Sequence, residues 1–146
     1  MTSPARTSLA RIVARVVLGA FLLVAGTAHL TVARAEFAAQ VPAWLPLDSD
    51  VVVVASGVVE LVLGAALVFL GRYRVQVGWV VAAFFVAIFP GNIAQYVDGV
   101  SAFGLDTDGV RLTRLFFQPV LVVWALWSTG AWRDRAALRE RTALRS

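Results

Sequence analysis

Four long apolar runs divide the chain, at about residues 12–31, 51–70, 75–96 and 114–132. Each run is close to the roughly 20 residues that an α-helix needs to cross a hydrocarbon core of about 30 Å. Of all residues, 60% are hydrophobic and 15% are charged, whereas soluble domains average roughly 45–50% and 25%. The sequence therefore predicts an all-α integral membrane four-helix bundle that forms one domain over residues 1–146.

Arginines are concentrated before the first run, in the turn between the second and third runs, and in a basic tail at 133–146. These residues are Arg6, Arg11, Arg15, Arg72, Arg74, Arg133, Arg135, Arg139, Arg141 and Arg145. Since Arg-rich loops stay in the cytoplasm, we expect both termini to be cytoplasmic in a bacterial plasma (inner) membrane. The net charge of +4 lies beside the spans, so the predicted partners are anionic membrane lipids and not nucleic acid. A cleavable signal peptide is the alternative for the first run, but its apolar stretch exceeds a typical signal core.

Glu60 is the one charged residue inside the second run. A charge at the centre of a bilayer is costly and usually faces the protein interior. Glu60 falls on the stripe formed by Gly57 and Gly64, which are seven residues apart, and small residues mark helix contacts in membranes. Glu60 is therefore predicted to face neighbouring helices, as a proton acceptor, as a structural partner of Arg114 or His29, or as a hydrogen-bonding group for a ligand.

Other polar residues of the runs lie near their non-cytoplasmic ends. They are His29, Asn92, Gln95, Arg114 and Gln118. We expect a pocket that opens outward and ends at Glu60. Pro90 and Pro119 predict kinked third and fourth helices, because proline removes a backbone donor. The alternatives are that Arg114 reaches outer headgroups, that Gln118 caps a neighbouring helix, and that Asn92 and Gln95 only form hydrogen bonds between helices.

The connection between the first two runs contains a short helical pattern around 34–40, followed by the rigid sequence VPAWLP at 41–46. Phe37, Val41, Trp44 and Leu45 would let this segment lie at the membrane interface as a lid over the pocket. A plain interfacial loop is the alternative.

The chain contains no cysteine, which excludes disulfides, thiolate metal sites and iron–sulfur ligation by its own residues. Any redox chemistry must therefore come from a bound cofactor or a partner. One His and one Glu are too few ligands for a closed zinc site, so no metal is predicted. No nucleophile and base pair is recognisable, so at most we expect a non-catalytic subunit or accessory of a membrane oxidoreductase.

Several short motifs resemble the DoxX family, and most closely its DoxX-like branch of small four-helix bacterial membrane proteins. They are AGTAHL at 25–30, VPAWLP at 41–46, SGVVE at 56–60 followed by Gly64, Arg72, FPGNIAQ at 89–95 and RLFFQ at 114–118. The sequence departs from the family pattern at Pro119, which the family places inside the fourth motif, and at Leu30, where an aromatic is usual. The resemblance implies a four-helix fold and an association with quinone-linked redox systems, but no cysteine is present to carry sulfur chemistry.

The leading hypothesis is an outward-facing polar pocket that binds a quinone, non-covalently, or a lipid-like ligand, as an accessory to a membrane redox partner protein. In it Glu60 and His29 exchange a proton or hydrogen bond with the ligand, Arg114 and Gln118 orient its polar head, and Asn92 and Gln95 shape the wall. The second hypothesis is a small proton-coupled carrier or lipid-handling protein. The third is a structural or assembly subunit of a membrane complex. Homo-oligomerisation stays open.

Overall fold

The structure is a computed structural model that describes residues 6–101, 104 and 106–145. Within these residues the chain forms six α-helices and one 3-10 helix. They are α1 (Leu9–Leu30), α2 (Arg34–Ala38), α3 (Ser49–Phe69), the 3-10 helix Gly71–Tyr73, α4 (Arg74–Val97), α5 (Asp108–Ser128) and α6 (Arg135–Ala143). Four of them, α1, α3, α4 and α5, are long and apolar enough to cross a membrane. The all-α prediction is thereby confirmed, and residue 146 of the predicted tail lies outside the described part.

Side-chain caps fix the first residues of three of the four long helices, α1, α3 and α5. The Ser8 hydroxyl accepts a hydrogen bond from the Arg11 N–H, and the Asp48 carboxylate accepts from the first N–H groups of α3. The Thr107 side chain does the same for α5 by accepting from the Val110 N–H. Each cap satisfies a donor that a helix start otherwise leaves unpaired.

The fourth long helix, α5, lies nearer the N-terminus than the predicted run at 114–132. It begins at Asp108 because Thr107 caps it, and it ends at Ser128. Gly130 has a φ of 68°, a left-handed conformation that favours glycine and ends helices. Pro90 and Pro119 both lie inside continuous helices, α4 and α5, and the bends expected at them stay a prediction.

Helices α1 and α3 pack at very short range through glycines, as the seven-residue spacing predicts. A Cβ atom added to Gly26 would lie 2.8 Å from the carbonyl oxygen of Gly57. A Cβ added to Gly64 would lie 2.8 Å from the carbonyl oxygen of Gly19. The two backbones therefore touch directly along this interface, which gives the dispersion contacts that hold membrane helices together.

The remaining helices complete a ring. Helix α4 packs extensively on α5, α5 contacts α1, and α3 and α4 contact each other more sparsely. Buried apolar side chains from all four helices form a core in the middle of the ring: Leu18, Leu22, Leu63, Leu67, Val81, Ala82, Phe85, Leu121 and Ala125.

The outer surface of the four long helices is apolar. Large exposed side chains on it include Val24, Val62, Val86, Phe116 and Val123. Between 22% and 33% of the residues in the most apolar part of each helix are buried inside the protein. The remaining surface would aggregate in water, and it matches a hydrocarbon environment.

Candidate ligand-binding cavity

A cavity of about 650 Å³ lies among the four long helices and the segment that joins α1 to α3. Its wall is mostly apolar, and Leu22, Phe85 and Leu121 of the central core close it on one side. The volume falls within the roughly 300–1,000 Å³ of typical small-molecule sites. The cavity is therefore large enough for a small organic molecule or part of a lipid.

Five of the six residues predicted from the sequence line this cavity. They are His29, Glu60, Asn92, Arg114 and Gln118. The sixth, Gln95, lies behind the wall and is 2% exposed. The structure thus brings one polar residue or more from each long helix to a single space, and their role in binding remains a prediction.

Glu60 pairs with His29. The carboxylate oxygen Oε2 lies 2.8 Å from Nδ1 of His29, and both side chains are buried. The same nitrogen lies 2.9 Å from the carbonyl oxygen of Ala25. A single N–H points at only one acceptor, and the hydrogen-bond geometry favours Ala25. Glu60 Oε2 therefore has a close electrostatic partner, yet no donor among the described residues points at it.

The His29 ring is also fixed by stacking. It lies against the Phe37 ring with a centroid distance of 3.3 Å and an angle of 12° between the planes. Phe37 belongs to α2, so the connecting segment directly covers the Glu60 and His29 pair.

A second polar group joins α4 to α5. Asn92 Nδ2 donates to Gln118 Oε1 at 3.1 Å, and Gln118 Nε2 donates to the carbonyl oxygen of Phe85 at 2.7 Å. The donors and acceptors of these two hydrogen bonds are all buried. Gln118 is thus held rigidly, which fits the interpretation of a wall residue that joins helices as well as that of a ligand contact.

Arg114 is positioned by Gln95. Arg114 Nη1 donates to Gln95 Oε1 at 2.9 Å, and Gln95 Nε2 donates to the carbonyl oxygen of Val100 at 3.3 Å. No carboxylate pairs with Arg114 within the described ranges. The guanidinium therefore brings a positive charge and spare N–H donors to the cavity wall.

Gln40 is a cavity residue that the sequence analysis did not select. It lines the cavity from the segment after α2, and its Nε2 atom is buried with no acceptor among the residues that the structure describes. Its position three residues after Phe37, on the same short helical pattern, was the available signal. Two residues that line the cavity, Gln40 and Glu60, thus each carry one buried polar atom, Nε2 and Oε2, with no hydrogen-bond partner among the described residues.

The segment between α1 and α3 covers one side of the cavity, where the sequence suggested a lid or a plain loop. Its residues Phe37, Val41, Pro42, Trp44 and Leu45 all line the space. A Cβ added to Gly91 of α4 would lie 3.7 Å from the carbonyl oxygen of Gln40. The segment therefore reaches across the sparse contact between α3 and α4.

An ion pair fastens this segment to α3. Arg34 Nε donates to Asp50 Oδ1 at 2.6 Å, and both side chains are about half exposed. The hydrogen bond that Arg34 donates to Asp50 raises the pKa of Arg34 above its ordinary value.

A separate group of charges lies at the opposite end of the helices, and we call it the arginine end: Arg15, Gly71, Arg74, Arg133 and Asp134. Arg74 Nη2 lies 2.8 Å from Asp134 Oδ2, and Arg74 Nη1 donates to the Thr129 carbonyl at 2.8 Å. Arg133 binds both oxygens of Asp134, at 2.8 and 3.0 Å. The hydrogen bond from Arg133, followed by that from Arg74, lowers the pKa of Asp134.

The ion pairs of the arginine end were not predicted from the sequence. The tail charges were expected to lie at lipid headgroups, whereas the Asp134 side chain is 6% exposed.

Three or more His, Asp or Glu side chains do not come together anywhere in the described part of the chain.

Four helices of membrane-spanning length and composition, packed around a cavity, are the features of a multi-pass α-helical membrane protein. The family model for the domain of unknown function DUF8561 matches residues 18–129, and the chain belongs to this family. The matched range contains all four long helices in full or in large part, and every residue predicted for the pocket. No curated protein and no solved structure matches the chain. Because the match does not assign the chain to DoxX, that resemblance stays a prediction.

Proposed function

We propose that the cavity binds a membrane-resident amphiphile with a quinone or quinol head, non-covalently, and that the protein serves a membrane redox partner as an accessory. The observation that carries the proposal is that Glu60 and Gln40, which line a mostly apolar cavity, each have a buried polar atom, Oε2 and Nε2, without a hydrogen-bond partner among the described residues. Buried polar atoms are normally hydrogen-bonded, so such a pair indicates a ligand with complementary groups.

The quinol form supplies both kinds of group. One ring hydroxyl donates to Glu60 Oε2, and the oxygen across the ring accepts from Gln40 or from the spare N–H groups of Arg114. The apolar wall contributed by Phe84, Ile88 and their neighbours then covers the ring. Specific small-molecule sites have this composition, a few convergent polar groups in an apolar wall.

Two further parts of the proposal concern placement. The arginine end faces the cytoplasm of a bacterial cell, with both termini on that side, because Arg-rich loops are retained there. The cavity then lies in the outer half of the plasma membrane, where Glu60 and His29 exchange protons or hydrogen bonds with the ligand. The DoxX-like motifs around His29, Glu60, Asn92 and Arg114 support a link to quinone-dependent redox systems.

The test is to purify the protein in mild detergent and to measure bound isoprenoid quinones and phospholipids per protein by mass spectrometry. Glu60→Gln and Arg114→Gln should each lower quinone occupancy about tenfold or more, since a hydrogen bond to a charged group contributes roughly 1.5–3 kcal/mol. Glu140→Gln on the exposed face of α6 is the matched control and should retain the wild-type occupancy.

Three results would separate the alternatives. Unchanged quinone occupancy in both cavity variants would refute the binding site. A phospholipid lost from these variants, in place of a quinone, would favour a lipid-handling protein. Loss of folded protein in both variants, with nothing bound to the wild type, would make the polar cluster structural and the protein an assembly subunit. Tryptophan fluorescence during thermal unfolding distinguishes loss of fold from loss of ligand.

A further inference from the structure

Arg15 is a buried cation without a counterion. The residue is 9% exposed, and its Nε atom has no acceptor among the residues that the structure describes. The rest of its guanidinium likewise makes no hydrogen bond or ion pair within that part of the chain. Burying a charge is costly unless it is paired, so this position calls for an anion.

The charges near Arg15 make it still less favourable for this cation to remain unpaired. Arg74 is close enough to Arg15 for the two positive charges to repel each other. The acid at this end, Asp134, already binds Arg74 and Arg133 with its two oxygens. Arg74 and Arg133 therefore share one carboxylate, and no carboxylate among the described residues pairs with Arg15.

The Arg15 guanidinium packs directly against Gly71. A Cβ added at Gly71 would lie 2.9 Å from Nη1 and 3.2 Å from Nη2 of Arg15. Any other residue would push the guanidinium away from this place. Because Gly71 has no side chain, the N–H donors of the Arg15 guanidinium can lie against the turn between α3 and α4.

We propose that Arg15 and Arg74 bind the phosphate of an anionic phospholipid, with Gly71 allowing the Arg15 guanidinium to lie against the turn between α3 and α4. The guanidinium fork matches the geometry of phosphate oxygens and forms two parallel hydrogen bonds to them. This site lies at the other end of the helices from the cavity, and it does not depend on the ligand proposed there.

The surroundings favour a lipid over a free phosphate ion as the source of this group. Phe69 and Leu70, directly before Gly71, are 78% and 46% exposed, and Ile12 on α1 is 37% exposed. These apolar side chains continue the outer surface that faces hydrocarbon, so acyl chains have a surface to lie on when the phosphate is at Arg15.

The experiment measures binding of phosphatidylglycerol and phosphatidylcholine to the full chain by native mass spectrometry from detergent. Phosphatidylglycerol should bind wild type about tenfold more tightly than phosphatidylcholine, whose cationic choline group neutralises its phosphate charge, and Arg15→Gln should remove this preference. Arg139→Gln on exposed α6, which removes the same charge, is the matched control and should keep the preference. Equal loss in both variants would overturn the site, since it would mean that only the total charge matters.

Thermal unfolding in nanodiscs tests the same site independently, because it separates a loss of lipid binding from a loss of protein stability. In phosphatidylcholine alone, Arg15→Gln should be at least as stable as wild type because it removes an unpaired buried charge. Adding phosphatidylglycerol should stabilise wild type and not the variant. A variant that unfolds at lower temperature in both lipids, by the same amount, would show Arg15 to be structural and would refute the proposal.

Inorganic phosphate distinguishes the two sources of the anion. Millimolar phosphate should leave lipid binding unchanged, since it lacks the acyl chains. Displacement of phosphatidylglycerol by phosphate at such concentrations would overturn the assignment to a lipid.

Discussion

The substitution Gly26→Ala tests the contact between α1 and α3. An added Cβ would lie 2.8 Å from the carbonyl oxygen of Gly57 and 3.0 Å from the backbone nitrogen of Leu61. Ordinary contact begins near 3.4 Å, so the helices must separate locally by about 0.6 Å, which is 3.4 minus 2.8. Both contacted atoms belong to the backbone, so a side-chain rotation cannot relieve the steric overlap.

The expected free energy change combines two opposing terms. Overpacking a close contact costs about 1–3 kcal/mol, whereas replacing a helical glycine by alanine favours the helix by about 0.5–1 kcal/mol. The free energy of unfolding should therefore fall by up to about 2.5 kcal/mol, the larger cost minus the smaller gain. Gly109→Ala, in the first turn of α5 with no atom within 4 Å of its added Cβ, is the control and should be neutral or stabilising.

The assay is unfolding by SDS titration in mixed micelles, followed by tryptophan fluorescence. Subtracting the two variants cancels the propensity term and leaves about 1–3 kcal/mol for the overpacking. A Gly26→Ala protein as stable as Gly109→Ala would refute direct backbone contact between the helices. Adding Gly57→Ala to Gly26→Ala should cost less than its separate effect, because both substitutions open the same gap.

Two predictions concern the arginine end. Asp134→Asn should lower the free energy of unfolding by about 3 kcal/mol, because it removes the buried carboxylate that Arg74 and Arg133 share. The exposed substitution Asp98→Asn should change it by less than about 0.5 kcal/mol in the same titration, and equal effects would contradict the buried role. Since Arg133 and then Arg74 lower the pKa of Asp134 below its ordinary 3.8, its contribution is complete above that value and is lost as pH falls through the folded-state pKa. The stability difference between wild type and Asp134→Asn, measured by thermal unfolding, should thus be constant from about pH 7 to 4.5 and shrink below. A difference that already shrinks near neutral pH would contradict this assignment.

The facing surfaces of the helices could be predicted because helical positions repeat with a fixed angle. The seven-residue spacing in each of α1 and α3 identified their contact, and Glu60 on the same stripe had to point inward. The five polar residues near one end of the runs, together with Glu60 deeper in the second run, were likewise predicted to share a space, and five of these six line the cavity.

The partners inside that space could not be predicted. The sequence left Glu60 between Arg114 and His29, and the choice depends on the rotation and depth of three helices that no local pattern specifies. In the structure Glu60 lies beside His29, and Arg114 binds Gln95. Gln40 was missed for the same reason, since its exposure to the cavity depends on how the segment after α2 folds back.

The arginine end shows a different limit. Alternating charges after α5 are typical of a solvated tail, and the sequence predicted only that the arginines of this tail lie beside anionic lipids, with no role for Asp134. The left-handed turn at Gly130 instead returns the chain toward α4, where Asp134 meets Arg74. One glycine conformation therefore decides whether this carboxylate is exposed or buried.

The glycine contact has a consequence for how the cavity changes its volume. Helices whose backbones touch cannot move closer together, and separating them loses contacts along the whole of α1 and α3. The contact between α3 and α4 is sparse, and a short segment covers it. When the cavity accommodates a larger molecule, α4 and the covering segment must therefore move. Helices α1 and α3 stay in place and form the fixed side of the cavity.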